Sequence, residues 1–64
     1  MKDLEITTHW GTTQFSTSVI KESPKLFIAI YGPRGGNERA NFLTPLEALG
    51  VAEYLKAWAL EALK

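Results

Sequence analysis

The segment YGPRGGNERANFLTPLEAL, residues 31–49, contains a glycine-rich stretch, a short strand-like run and the start of a helical pattern. Within it, TPLE (residues 44–47) has the S/T-x-x-E form of a capping box. In this motif the threonine hydroxyl accepts from the glutamate amide, and the glutamate carboxylate accepts from the threonine amide. Proline suits the first helical position, because an N–H there would have no partner within the helix. The segment therefore predicts a helix that begins at residue 45 and extends to about residue 63.

The glycine-rich stretch GPRGG, residues 32–36, raises the question of a phosphate-binding loop. A P-loop requires G-x-x-x-x-G-K-[ST] leading directly into a helix, whereas Asn37 and Glu38 follow Gly36 and a further strand precedes the helix. The dinucleotide fingerprint G-x-G-x-x-G is also absent from the sequence. We therefore interpret the stretch as a turn between two strands, with Arg34 and Arg39 as the side chains able to meet an anion there.

Four segments before residue 44 have the pattern of β-strands. The strongest is KLFIAIY, residues 25–31, whose apolar residues on both sides indicate a strand covered on both faces, or one face that awaits a partner. The others are LEITTHW (4–10), TQFSTSVI (13–20) and ERANF (38–42). KESPK (21–25) predicts a turn, because proline cannot donate to a ladder and its neighbours are polar. We expect one α+β domain, residues 1–64, with a four-stranded antiparallel sheet at about 3–43 and one C-terminal helix at about 45–63.

The helix has more apolar surface than one small sheet needs. At 100° per residue, one wide arc is predicted as core and contains Ala48, Val51, Ala52, Leu55, Trp58, Ala59 and Ala62, with Leu63 at its edge. Leu46, Leu49 and Leu60 lie outside this arc, where they either cover the sheet's edge and loops or contact a second subunit. A 64-residue chain without cysteine gains most from a partner. We therefore expect a homodimer, or a higher oligomer, whose interface contains Leu46, Leu49, Gly50 and Leu60.

Charge and hydropathy limit the classes of function. Seven basic and seven acidic side chains give zero formal net charge, which counts against a protein whose main partner is a polyanion. Residues 21–43 nevertheless carry four basic side chains against two acidic ones. No apolar run approaches the roughly 20 residues of a membrane span, and the first residues lack the apolar run of a signal peptide. We expect a soluble intracellular protein that does not associate with a membrane.

No set of residues forms a catalytic or metal-binding motif. The chain has no cysteine and one histidine, which excludes zinc–thiolate and multi-histidine sites. A catalytic triad would depend on His9 with an unspecified serine and acid, and a solvated strand position is favoured for this side chain. We therefore expect a non-enzymatic protein with no cofactor and no metal.

One predicted arrangement favours a binding role. The sheet face opposite the helix would carry Phe27 and Tyr31 among serine and threonine side chains, with basic residues at the strand ends. Aromatic rings on a sheet with basic edges often stack the bases of single-stranded nucleic acid, although the same rings also serve as core or dimer contacts. The first hypothesis is a single-stranded nucleic-acid-binding module using Lys21, Lys25, Phe27, Tyr31, Arg34 and Arg39. The second is a small interaction or regulatory protein, of bacterial or phage type, that binds a protein partner through an exposed sheet face or edge.

Residues 13–50 resemble the positive cofactor four family and the wider Whirly-like group. The resemblance lies in the strand order and in FLTPLEAL, residues 42–49. It implies a curved four-stranded sheet followed by a helix, dimerisation through helices and binding of single-stranded DNA along the sheets. That family has more basic and aromatic residues in its second and third strands, where this chain has neutral residues such as Ser16, Ser18 and Ala29. A shared fold would therefore not by itself imply shared DNA binding.

Overall fold

A computed structural model of the chain describes residues 1–64, the side chain of Asn37 excepted. In chain order it contains β1 (Leu4–Thr8), β2 (Gly11–Ile20), β3 (Ser23–Tyr31), β4 (Asn37–Leu43) and α1 (Pro45–Ala62). The strands form one antiparallel sheet in which each strand pairs with the next along the chain. The predicted α+β fold, four antiparallel strands followed by one C-terminal helix, is confirmed.

The turn between β2 and β3 is made by two residues that rarely occupy such a position. Lys21 and Glu22 have φ angles of 50° and 65°, the left-handed pair of a type I′ turn, which usually contains asparagine and glycine. The predicted turn KESPK is therefore too long, because Ser23 and Pro24 already belong to β3. Proline has no backbone N–H to donate to a neighbouring strand. Pro24 is tolerated in β3 because β4 ends at Leu43, opposite Leu26, so β4 does not extend to Pro24 and needs no hydrogen bond there.

The turn between β1 and β2 depends on a glycine. The Trp10 amide donates to the Thr8 hydroxyl at 3.1 Å, and the chain then enters β2 through Gly11 with a φ of 141°. A side chain at Gly11 would overlap the Tyr31 carbonyl oxygen of β3, so only glycine fits this position. His9 lies in this turn, rather than on a strand as predicted, and its ring centroid is 3.8 Å from that of Trp10.

The glycine-rich stretch forms the turn between β3 and β4, as predicted. The Gly35 amide donates to the Gly32 carbonyl at 3.0 Å, and the Gly32 amide donates to the Gly36 carbonyl at 2.9 Å. Pro33 and Arg34 occupy the two central positions, and Gly35 follows with a φ of 87°. This is the three-residue hairpin loop in which a turn is followed by a left-handed glycine.

The strand register divides the sheet residues between two faces, because residues opposite each other in an antiparallel pair share a face. The helix-side face is mostly apolar and contains Leu4, Ile6, Thr13, Phe15, Thr17, Leu26, Ile28, Ile30, Arg39, Asn41 and Leu43. The open face contains Glu5, Thr7, Thr12, Gln14, Ser16, Ser18, Lys25, Phe27, Ala29, Tyr31, Ala40 and Phe42. Over the part of the chain that the structure describes, no element covers the open face.

The helix starts at Pro45 as predicted and ends at Ala62, with Leu63 as its C-cap. Both capping-box bonds are present: the Thr44 amide donates to a Glu47 carboxylate oxygen at 2.9 Å, and the Glu47 amide donates to the Thr44 hydroxyl at 3.2 Å. Hydrogen bonding to the Thr44 backbone and side chain, together with the charge of Lys25, lowers the pKa of the Glu47 carboxyl below its ordinary value. The ionised carboxylate also suits the positive end of the helix dipole.

The helix meets the sheet through its first turns only. Val51 lines an open cavity of about 450 Å³ with residues of β3 and β4, and Ala48 lines another with residues of β2 and β3. Over the described residues, Cα atoms of α1 come within 8 Å of those of β3 and β4 but not of those of β1 or β2. The predicted core arc is therefore wrong for a single chain, since Leu55 and Trp58 are 53% and 65% exposed. The arc has the composition of a core, but its second half extends past the apolar surface of its own sheet.

The isolated chain is open rather than close-packed. Among the side chains that the structure describes, only Ala29 is fully buried. The accessible surface is 5648 Å², against about 4,100 Å² for a folded monomer of this mass. The radius of gyration is 13.3 Å, against about 11 Å for a compact domain of this length. The chain therefore exposes roughly 1,500 Å² more surface than a self-contained domain of its size would.

Candidate functional site

The open face carries three aromatic rings. Phe27 of β3 lies opposite Phe42 of β4, and their ring centroids are 5.1 Å apart at an interplanar angle of 44°, within the range of favourable aromatic pairs. Tyr31 lies on the same face four residues further along β3, which corresponds to about 14 Å at the strand rise. Phe27 and Tyr31 are half-buried and Phe42 is exposed. The rings therefore present part of their surface to solvent on one uncovered face.

Phe42 is a residue of this face that the sequence pattern did not identify. The run ERANF predicts a strand, but it does not by itself say which side each residue faces. The three-residue loop alone, which pairs Gly32 with Gly36, would place Phe42 opposite Leu26 on the helix-side face. The bulge between Ile30 and Tyr31 shifts the pairing by one position and brings Phe42 opposite Phe27 instead. No pattern in the sequence indicates this bulge.

Short polar side chains surround the rings. Ser16 lies opposite Phe27, and Thr12 lies opposite Tyr31. The Thr7 and Thr12 hydroxyls are 3.1 Å apart and share a hydrogen bond across β1 and β2. The serine and threonine hydroxyls can donate to a phosphate or a base edge as well as accept.

The basic residues of the predicted site are not all on one side of the sheet. Lys25 is on the open face and Lys21 is in the adjoining turn, so both lie at one end of β3. Arg34 is in the loop at the other end of β3, and the strand covers about 20 Å from Lys25 to Tyr31. Arg39 lies opposite Ile30 on the helix-side face, where it lines the cavity next to Val51. The structure thus brings five of the six predicted residues to the open face or its ends, and Arg39 to the other face.

Neither a known protein family, nor a curated protein, nor a solved structure matches this chain. The site therefore has to be interpreted from its own chemistry. Among the described residues, no three histidine or acidic side chains lie close enough together to hold a metal ion. No helix of the described chain is both long and apolar enough to cross a membrane.

The helix carries two apolar surfaces without a partner in this chain. The first is the predicted interface of Leu46, Leu49, Gly50 and Leu60, whose three leucines are exposed. A side chain at Gly50 would meet no atom within 4 Å, so this position is open to another molecule. The second is the far half of the predicted core arc, with Leu55 and Trp58. Each leaves apolar area in water that a partner would remove.

Proposed function

We propose that this chain is a homodimeric, non-enzymatic binding module that takes single-stranded nucleic acid on the open face of its sheet. The observation that carries the proposal is the pairing of Phe27 with Phe42, and the placement of Tyr31 beyond them, on a face that no element covers over the described residues. Successive bases stack on such rings with little regard to sequence, because every base has a π-face. The resemblance of residues 13–50 to positive cofactor four favours the same choice.

The homodimer is supported by the surface of the isolated chain. An excess of roughly 1,500 Å² per chain corresponds to about 3,000 Å² in a two-chain interface, the size of obligate homodimer interfaces. Leu55 and Trp58 are 53% and 65% exposed, so each forgoes roughly half to two-thirds of the about 1.5–3 kcal/mol that full burial of a large apolar side chain contributes. A second copy would bury this area and complete the core that one chain lacks.

Base stacking is tested with fluorescence anisotropy of a labelled oligothymidine at low salt. Replacing Tyr31 with alanine should weaken binding by about 1–3 kcal/mol, because one stacked base loses its ring. Tyr54→Ala is the matched control: Tyr54 is an exposed tyrosine on the helix, away from the open face. Equal losses in the two variants would contradict stacking at Tyr31.

The placement of charges is tested by the salt dependence of the same binding. Each phosphate contact contributes about −0.7 to the log–log slope for single strands, so Lys21, Lys25 and Arg34 should give about −2 per chain. Lys25→Ala should make the slope shallower by about 0.7, whereas Arg39→Ala should leave it unchanged because Arg39 lies on the helix-side face. No binding at micromolar protein in roughly 50 mM salt would reject the nucleic-acid proposal.

A protein partner is the second candidate function. The observation that favours it is the low charge of the open face, whose strand residues include one lysine, Lys25, and one acid, Glu5. Polyanion binders usually concentrate positive charge at the contact. An extended peptide could instead pair with the free edge of β1 or β4 and place its side chains on the rings. Failure of the oligothymidine experiment with an intact dimer would leave this function as the working proposal.

A further inference from the structure

The helix-side face of the sheet is only partly covered by its own helix. Ile6 of β1 and Ile30 of β3 are exposed there, and Trp10 in the β1–β2 turn lines a small cavity with both of them. Trp10 is 76% exposed. Over the described residues no Cα atom of α1 comes within 8 Å of β1 or β2, so α1 meets the apolar surface formed by Ile6, Trp10 and Ile30 only at Ile30, which also lines the cavity beside Val51. We call this surface the free sheet patch.

The helix has a matching surface that its own sheet does not meet. Leu55 and Trp58 lie on the same arc as Ala48 and Val51, so they are on the side of the helix that faces the sheet. They lie beyond the part of the helix that contacts its own sheet. The residues of this arc are all uncharged, namely Ala48, Val51, Ala52, Leu55, Trp58, Ala59 and Ala62. This arc can be buried without removing a charge from water.

The other apolar surface of the helix is less suited to burial. At 100° per residue, Glu53 falls between Leu46 and Leu60 on the arc that also contains Leu49. Burying that arc against a flat apolar partner would take the Glu53 carboxylate out of water, which is costly unless the partner supplies a countercharge. The uncharged arc is therefore better suited to form a homodimer interface.

We propose that the second half of each helix, through Leu55 and Trp58, packs on the free sheet patch of a second copy of this chain. The proposal rests on the homodimer proposed above and assigns its interface. A two-fold arrangement makes the contact twice, because residue i meets j whenever j meets i. Two such contacts would remove from water part of the roughly 1,500 Å² of excess surface that each chain exposes.

Sedimentation of matched aspartate variants tests the assignment. Leu55→Asp should raise the dimer dissociation constant by at least about 30-fold, as loss of an interface hot spot does. Leu49→Asp places the same change on the opposite arc of the helix and should alter the dimer dissociation constant by less than about threefold. A larger effect at Leu49, or equal effects, would overturn the assignment while leaving the homodimer in place. A wild-type chain that stays monomeric at high concentration would overturn both the assignment and the homodimer, without bearing on whether the open face binds nucleic acid.

Crosslinking keeps the assignment testable if Leu55→Asp fails to fold. The natural chain has no cysteine, so only engineered thiols react with a short bismaleimide. A mixture of Ile6→Cys chains with Leu55→Cys chains should give a crosslinked heterodimer, because each helix would lie on the partner's β1. A mixture of Ile6→Cys with Leu49→Cys should give little. No Ile6–Leu55 product, or equal products from both mixtures, would overturn the assignment.

Discussion

At the scale of single residues, the turns decide where the strands can pair. Gly11 combines a φ of 141° with a position against the Tyr31 carbonyl, so β1, β2 and β3 all depend on its missing side chain. Lys21 and Glu22 show the opposite situation, since two ordinary residues hold the left-handed conformation that glycine adopts freely. Substitution of Gly11 should therefore destabilise the fold, whereas the backbone strain at Lys21 and Glu22 can be relieved by substitution.

Gly11→Ala should destabilise the fold by about 2–3 kcal/mol or more, because the new methyl group overlaps the Tyr31 carbonyl in a strained conformation. Urea denaturation measures the loss. Gly36→Ala is the matched control, because a side chain at Gly36 meets nothing within 4 Å, and it should change stability by less than about 0.5 kcal/mol. Similar losses at the two glycines would show that the close approach at Tyr31 is unimportant.

Glu22→Gly should stabilise the fold by about 1 kcal/mol, because it removes the side-chain clash of a left-handed residue in a type I′ turn. Glu22→Ala removes the same charge but keeps a Cβ, so it should give no comparable gain. Thermal unfolding of the two variants separates the backbone effect from the charge effect. A gain in the alanine variant alone would contradict the strain explanation.

At the scale of elements, what could be predicted from the sequence depended on how local the cause is. The helix start at Pro45 follows from residues 44–47, all within one turn, and it was predicted correctly. The β2–β3 turn was misplaced because Pro24 is a typical turn residue, while Lys21 and Glu22 are not. The exposure of Trp58 could not be predicted, because helical periodicity gives the side it faces but not how far the sheet extends beneath it.

The same limit explains the mixed outcome for the candidate site. Alternation along β3 correctly places Phe27 and Tyr31 on one face, because the side-chain period of a strand is two. Arg39 and Phe42 depend on the register of β4 across a loop and a bulge, and the sequence pattern left Phe42 out of the site and grouped Arg39 with it. One residue of slippage exchanges the faces of a strand.

Thr44→Ala should reduce stability by about 1 kcal/mol, because the Glu47 amide loses its hydroxyl acceptor at the helix N-terminus. Thr44→Ser keeps the hydroxyl and should stay close to the natural protein. Far-ultraviolet circular dichroism during thermal unfolding measures both. A serine variant as unstable as the alanine variant would mean that the cap hydroxyl contributes nothing.

The capping carboxylate should also make the fold sensitive to acid. The pKa of Glu47 is lower in the folded chain than its ordinary value of 4.5. Its stabilising contribution is therefore present above that value and is lost as the pH falls through the lowered pKa. Glu47→Gln retains a hydrogen-bonding side chain but cannot titrate, so its stability should change less below pH 4.5. Identical acid profiles for the two proteins would contradict this role for Glu47.

At the scale of the whole molecule, the two tryptophans report on assembly. Both Trp10 and Trp58 are largely exposed in the isolated chain, so a dimer that buries them should shift their emission to shorter wavelength as protein concentration rises. Trp10→Phe leaves Trp58 as the sole reporter. The melting temperature should rise over the same concentration range, because association stabilises the folded form by mass action. Emission and melting temperature that are independent of concentration would contradict the homodimer.

The pairing of each strand with its neighbours in the sequence affects how quickly the strand edges and apolar surfaces of the chain become covered. Every strand bonds only to its neighbours in the sequence, across short turns, so the mean sequence separation of the sheet's contacts is small and the sheet should nucleate quickly. Hairpins of this kind close in about 1–10 μs. If the proposed homodimer completes the core, the slow step is then the encounter of two copies. When copies of the chain are scarce, a newly made copy would keep its strand edges and apolar surfaces exposed for longer. The danger of aggregation would therefore depend on how often copies meet rather than on how fast each one folds.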